Sequence, residues 1–156
     1  MPTLAHNRRA SFDFELLENY EAGLILSGQE AKSAKAGHVN LKGAHISLRN
    51  QPSGPEAWLL NAHISAYSYA GQLEGYNPTQ ERKLLLTKKE LAHLVGKTQE
   101  KGLTLVPLKM YTKRSFVKLE FALGRGKKKY DKREAIKKRD VERQIRTLTK
   151  RQGNSR

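Results

Sequence analysis

The tightest constraint on this chain is where its positive charge lies. Residues 124–156 carry 14 Lys and Arg against 4 Asp and Glu, a net +10 in 33 residues, whereas residues 1–123 carry 16 against 11, a net +5. A segment that charged, with so few apolar side chains, buries too little surface to offset the entropy lost on ordering it. The chain therefore reads as one folded body, 1–123, followed by a basic tail, 124–156. Hydrophobic residues make up 37% of the 156, enough for one modest core. Gly124-Arg125-Gly126 marks the division, because two glycines there disfavour continued regular structure.

Within the body the pattern is mainly of strands. Phe12-Asp13-Phe14-Glu15-Leu16 alternates apolar and polar residues, as a half-buried strand does. Glu21 to Leu26 resumes the β character, with Gly23 marking a bulge or bend. Ser27 and Glu30 have capping-box spacing and predict a short helix from Gly28 to Ala36, ended by Gly37. Val39 to Arg49 and Ala57 to Ile64 flank the turn cluster Asn50–Pro55 and read as a hairpin. Residues 65–80, with Gly71, Gly75 and Pro78, read as a loop. Thr87 with Glu90 caps a second helix that carries Leu91, Leu94 and Val95 on one face and stops by Gly102.

Leu103 to Tyr111 and Ser115 to Leu123 predict a second hairpin, turning at Thr112-Lys113-Arg114. Pro107 cannot donate to a ladder, so its strand is an edge or is bulged there. Five or six short strands with two helices and marked bends suit a small β-barrel of the OB type, although periodicity alone does not separate it from other small barrels.

Several function classes are excluded or disfavoured. The chain has no cysteine, hence no disulfide framework, Cys-liganded zinc or thiol nucleophile. Met1 to Ala10 is polar, unlike a signal peptide, and no run approaches the ~18 apolar residues of a membrane span. A cytoplasmic location is expected. None of the five histidines pairs with a Glu at metalloprotease spacing, and there is no Walker lysine loop or nucleophile elbow. No catalytic set, metal or cofactor is expected. A formal charge of +15 points instead to a polyanionic partner, above all nucleic acid.

Four segments can carry that contact. Asn7-Arg8-Arg9 offers two guanidiniums for phosphate and an amide for a base edge or sugar hydroxyl, or is a solvated basic N-terminus. Glu30 can accept from base amino groups, which cations cannot do, or simply cap its own helix. Arg82-Lys83-Leu84-Leu85-Leu86 joins two cations to apolar residues, as an RNA face or as a hydrophobic strand with a soluble lead-in. In the tail, Lys127-Lys128-Lys129 is followed by Tyr130, a base-stacking candidate. Asp131 has the N-cap character, with Glu134 at capping-box distance. Good helix formers follow, among them Lys137, Lys138 and Arg139, with a thin stripe of Ile136, Val141, Ile145 and Leu148. Like charges at close spacing oppose this helix in isolation, so the tail is expected to be disordered when free and helical on RNA.

Taken together the segments resemble the SmpB (SsrA-binding protein) family. The matching residues run in order through nearly the whole chain: Asn7-Arg8-Arg9-Ala10, Tyr20-Glu21-Ala22-Gly23-Leu24, Gly28 through Gly37, Val39-Asn40-Leu41, Trp58 through Ile64, Arg82 through Leu86, Lys101 through Thr104, Gly126-Lys127-Lys128 and Asp131-Lys132-Arg133. Each motif is weak alone and their joint order is specific. Ala31 departs from the pattern, standing where a larger aliphatic residue is usual.

The resemblance implies an OB-type barrel that holds the tRNA-like part of tmRNA during rescue of stalled ribosomes. The RNA-binding residues expected on this basis are Asn7, Arg8, Arg9, Glu30, Lys32, Ser33, Asn40, Lys83, Leu84 and Leu85. The tail, through Lys127, Lys128, Lys129, Tyr130, Asp131, Lys132, Arg133, Lys137, Lys138 and Arg139, is implied to enter the empty decoding site of the small subunit and the mRNA path. The free protein is expected to be a monomer without a membrane partner. A ribosomal OB protein and an RNA-processing enzyme are the rival readings; the first would be a permanent ribosome component, the second would cleave or modify its RNA.

Overall fold

Val117, Leu119, Phe121 and Leu123 are buried while Lys118 and Glu120 between them are not, so period-two alternation turns one face of this strand to the core. The computed structural model describes residues 2–67, 75–127 and 129–153. In chain order the elements are β1 (Thr3–His6), α1 (Ala10–Asp13), β2 (Phe14–Leu24), α2 (Gly28–Lys35), β3 (Val39–Asn40), β4 (His45–Gln51), β5 (Gly54–Leu60), β6 (His63–Ile64), β7 (Arg82–Leu85), α3 (Lys88–Thr98), β8 (Leu103–Lys113), β9 (Phe116–Gly126) and α4 (Lys129–Gly153).

Seven strands form one antiparallel sheet in the order β1-β8-β9-β2-β7-β5-β4, and β3 pairs with β6 in a second. Register shifts between Leu16 and Glu18, between Pro107 and Lys109, and between Thr3 and Ala5 interrupt the ladders. Such bulges increase local twist, and the sheet wraps a core of Ala22, Leu59, Leu84, Met110, Leu119 and Phe121. No ladder joins β1 to β4 among the described residues, so the fold is a mainly β, curled but open antiparallel sheet with a few helices.

Both caps read from the sequence are present. Ser27 Oγ accepts from the Glu30 N–H, and Glu30 Oε1 accepts from the Ser27 N–H at 3.1 Å, the full capping box. Gly37 follows α2 with φ +87, the left-handed conformation that glycine takes without strain. Thr87 caps α3 in the same way, but Glu90 turns its carboxylate to the Thr87 hydroxyl, so only half the box forms.

Other expectations are corrected. Phe12 and Asp13 belong to α1, not to a strand, and β1 precedes them. The bulge in β2 lies at Leu16/Glu18, not at Gly23, which keeps continuous register with Lys118. Val39–Arg49 is two strands, because buried Leu41 and the turn after it re-aim the chain. The second hairpin turns at Arg114-Ser115, one residue later than expected. The glycines at 124 and 126 do not end β9. A Cβ on Gly124 would lie 3.2 Å from Val106 Cγ2 and 3.3 Å from Phe14 Cβ, so this glycine gives space inside the sheet rather than breaking it. Of the predicted loop 65–80, residues 68–74 lie outside the described residues.

The tail is one helix, α4, with Ile136, Val141 and Ile145 exposed along it. It begins at Lys129, so Asp131 lies in its first turn rather than before it. Lys128, and the side-chain roles expected of Lys129, Tyr130, Asp131 and Leu148, lie outside the described residues. The base of the tail is tied to α1. The Lys127 N–H donates to Asp13 O at 2.9 Å, Lys127 Nζ donates to Ser11 O at 2.9 Å, Lys132 Nζ lies 3.3 Å from Asp13, and Arg139 sits over the Phe12 ring. Among the described residues no helix is long and apolar enough to cross a membrane.

Candidate nucleic-acid interface

The sequence-predicted residues fall into three separate places. The first is a cleft of about 390 Å³ where the β1–α1 segment meets the β3–β4 turn and β8. It gathers Asn7, Arg8, Arg9 and Asn40, and adds Lys42 and His45, which sequence reasoning passed over. The Asn7 side chain is anchored: Nδ2 donates to Pro107 O at 2.9 Å, while its backbone N–H donates to Leu108 O at 2.7 Å. Asn7 thus braces the bulge that Pro107 creates, using one of the two hydrogens of its amide nitrogen. Asn40 Oδ1 accepts from the Lys42 N–H at 2.8 Å, shaping the turn that carries Lys42. Arg9 is 70% exposed at its side chain and lies 3.5 Å from Asp13. The cleft therefore gathers cations beside a lining that includes Ala10, Phe14, Ala44, Leu105, Val106 and Pro107.

The second place is not a surface at all. Glu30, Ser33 and Leu84 are buried, which corrects their expected position on an RNA face. Arg82, also buried, donates from Nε to Glu30 Oε2 at 2.7 Å, from Nη1 to Ala62 O at 2.7 Å and from Nη2 to Pro78 O at 2.9 Å. Ser33 Oγ donates to Ser65 O at 2.6 Å. Burial pushes the Glu30 carboxyl upward, but the bonds from Arg82, Ser27 and Gln80 outweigh it and hold the group below its ordinary value of 4.5. Glu30 stays ionised and fully engaged, so it cannot accept from base amino groups. Lys32, on the same helix, places its ammonium over the Tyr67 ring instead.

The third place is the outward face of the main sheet. Cross-strand partners share a face, so the register lines up Leu85, Gly23, Lys118 and Tyr111 across β7, β2, β9 and β8. A neighbouring line holds Lys83, Trp58 and Ser47. Leu85 and Ile25 are half-exposed apolar residues beside these cations. Arg49 stacks over Trp58, and Lys83 Nζ lies 3.3 Å from Glu56. Glu21 accepts from the Tyr111 hydroxyl and from Lys113; the first of these bonds, against a smaller effect of burial, keeps its carboxyl below the ordinary value. The face is thus mixed, with apolar, aromatic, cationic and a few acidic groups arranged in rows.

Gly23 sits at the centre of it. A Cβ there would meet Leu85 at 3.5 Å and Lys118 Nζ at 3.7 Å, ordinary contact distances. Neither the backbone nor the packing requires a glycine at this position. A bare strip of strand between an apolar and a cationic neighbour is what a closely approaching ligand backbone needs. Lys118 was legible as an outward residue from the alternation of its strand, but its neighbours Gly23 and Leu85 become apparent only through strand pairing.

Comparison with known proteins gives one consistent answer. The family model described as SmpB protein matches residues 4–151. The SsrA-binding protein of Nostoc punctiforme is 50% identical over 147 residues, covering 94% of this chain and 92% of the relative. That of Ligilactobacillus salivarius is 48% identical over 150 residues, covering 96% and 94%. That of Dehalococcoides mccartyi is 49% identical over 143 residues, covering 92% and 80%. A solved chain described as "tmRNA-SmpB: a journey to the center of the bacterial ribosome" superposes with a TM-score of 0.63 at 44% identity, covering 84% of this chain and 92% of that one.

Proposed function

Because the chain belongs to the SmpB protein family, we propose that it binds the tRNA-like part of tmRNA and delivers it to stalled ribosomes for rescue. It is an RNA-binding adaptor. The observation that carries this reading on the chain itself is the Leu85–Gly23–Lys118 row, an apolar, bare and cationic strip exposed on a rigid sheet. Lys83 and Leu85 serve the RNA face directly, and Arg8, Arg9, Asn40 and Lys42 hold phosphate at the cleft. Glu30, Ser33 and Leu84 act from within, by fixing the frame that presents Lys83 and Leu85.

The finer parts of the reading follow from the same layout. The curled sheet serves as an OB-type barrel, with the β1–β4 seam forming the cleft. Residues 124–156 form the ribosome-engaging unit, entering the decoding region and mRNA path, where neutralisation by RNA removes the like-charge repulsion along α4. Before that contact the helix is only partly populated. The chain works as a cytoplasmic monomer and performs no catalysis of its own.

The test is a competition gel shift. The full chain should prefer tmRNA over an equally long structured RNA by at least about 10³-fold, by analogy with the specificity ratios of other nucleic-acid binders. Leu85→Asp should abolish the preference while leaving generic binding. Equal affinity of the wild-type chain for both RNAs would overturn the proposal. Cosedimentation should find the chain substoichiometric on ribosomes, against its being a permanent ribosomal component.

A further inference from the structure

Phe116 has no role in the core. At 69% exposure it is the most exposed large hydrophobic among the described residues, and it stands at the tip of the β8–β9 hairpin. We propose that Phe116 is a stacking platform for one unpaired RNA base, with Arg114 contacting the adjoining phosphate. This rests on the RNA-binding reading above and adds a contact that the matched motifs do not contain.

Three observations carry it. The backbone that carries the ring is fixed: Phe116 pairs with Lys113 at the end of a ladder running back to Leu103 and Arg125. The turn between them places Arg114 at φ 51 and Ser115 at φ 70, the left-handed region, in two residues that are not glycine. That conformation costs energy, and the paired strands on either side hold it. The ring also shares its outward face with Lys118, two residues on, which belongs to the row beside Gly23.

The surroundings fit a nucleic acid better than an apolar partner. The ring's neighbours in the turn are Thr112, Lys113, Arg114 and Ser115, none of them apolar. Arg114 is exposed and makes no ion pair among the described residues. An isolated aromatic face flanked by cations suits one base and its phosphate, because every base offers a π-face and stacking needs no larger apolar surface.

The experiment uses the full chain with two RNA probes, transcribed tmRNA and an unstructured RNA oligonucleotide, and with anionic phosphatidylglycerol vesicles for comparison. Phe116→Ala should weaken binding of both by about tenfold. Phe116→Trp should hold or exceed wild-type affinity, whereas Phe116→Leu, equally apolar but without a π-face, should not restore it. Arg114→Ala should lower the slope of log affinity against log salt by about 0.7–0.9, and Phe116→Ala should leave that slope unchanged. Phe116→Ala binding both probes as the wild type does, or Phe116→Leu matching Phe116→Trp, would overturn the proposal. So would a loss confined to anionic phosphatidylglycerol vesicles, which would mark the tip as a lipid contact. A wild-type chain without preference for tmRNA would defeat the adaptor reading instead, while the Phe116→Ala comparison on the oligonucleotide would still decide the stacking.

Discussion

Arg82 Nε stands 2.7 Å from Glu30 Oε2, with side chains 1% and 4% exposed. The pair joins the first turn of α2 to the first residue of β7, and Arg82 uses its remaining donors on Ala62 O, Pro78 O and the Tyr76 hydroxyl. One arginine thereby gathers four segments around a single charge. Removing one partner of such a pair leaves the other buried and uncompensated. Glu30→Ala should therefore lower unfolding free energy by about 3–5 kcal/mol. Urea titration followed by circular dichroism checks it. The double variant Glu30→Met/Arg82→Met should lose less than either single change.

The same carboxylate sets an acid limit. Its folded value lies below the ordinary 4.5, because Arg82 and Ser27 stabilise the ionised form more than burial opposes it. A depressed carboxylate contributes stability that is fully present above 4.5 and is lost as pH falls through the folded value. Glu18 and Glu21 shift the same way, through bonds from Tyr20 and Tyr111, but they are exposed and weigh less. The thermal midpoint should be flat above about pH 5 and fall steeply below about pH 4. The Glu30→Met/Arg82→Met variant should show a shallower fall.

Gly23 offers a change that separates folding from binding. Valine suits a strand, and a Cβ here meets only ordinary contacts. Gly23→Val should keep its unfolding free energy within about 1 kcal/mol of wild type. Its tmRNA affinity should fall at least about tenfold if the strip is where an RNA backbone approaches. Filter binding and thermal melts on one preparation read both.

The tail should be dispensable for holding tmRNA and indispensable for using it. Replacing Asp131, Lys132 and Arg133 together by Ala removes one carboxylate and two cations, so the net charge falls by one unit. It also removes the Lys132–Asp13 ion pair that anchors α4. We expect near-normal gel shifts with tmRNA and severely reduced peptide tagging in a reconstituted translation system. Tagging that survives, or tmRNA binding that falls in parallel, would reject this division of labour.

What was legible in the sequence was local. The caps at Ser27 and Thr87, the β8–β9 hairpin and the bulge at Pro107 each depend on residues a few positions apart, and each formed. What was not legible depends on distant pairing. Glu30 could be read as a cap or as an RNA contact until Arg82, 52 residues on, took its second oxygen. Gly124 looked like a breaker because its reason, the side chains of Phe14 and Val106 pressing from other strands, lies elsewhere in the chain. The site behaved likewise. Asn7, Arg8, Arg9 and Asn40 do meet in one cleft, yet Gly23 and Lys118 join Leu85 only once the strands are in register.

The anchoring of α4 by Lys132 on Asp13 turns the tail into a protractor as well as a ruler. Its 25 residues, at 1.5 Å each, make a helix about 37 Å long whose first turns lie against α1. Every residue also rotates the next by about 100°. The direction in which Lys137, Lys138 and Arg139 point is therefore set by how many residues separate them from the anchor. One inserted residue beyond Lys132 would leave composition and charge almost untouched and move the far end by only about 1.5 Å, yet it would swing every later side chain by more than a quarter turn. For a tail proposed to engage RNA, angular phase would count alongside charge.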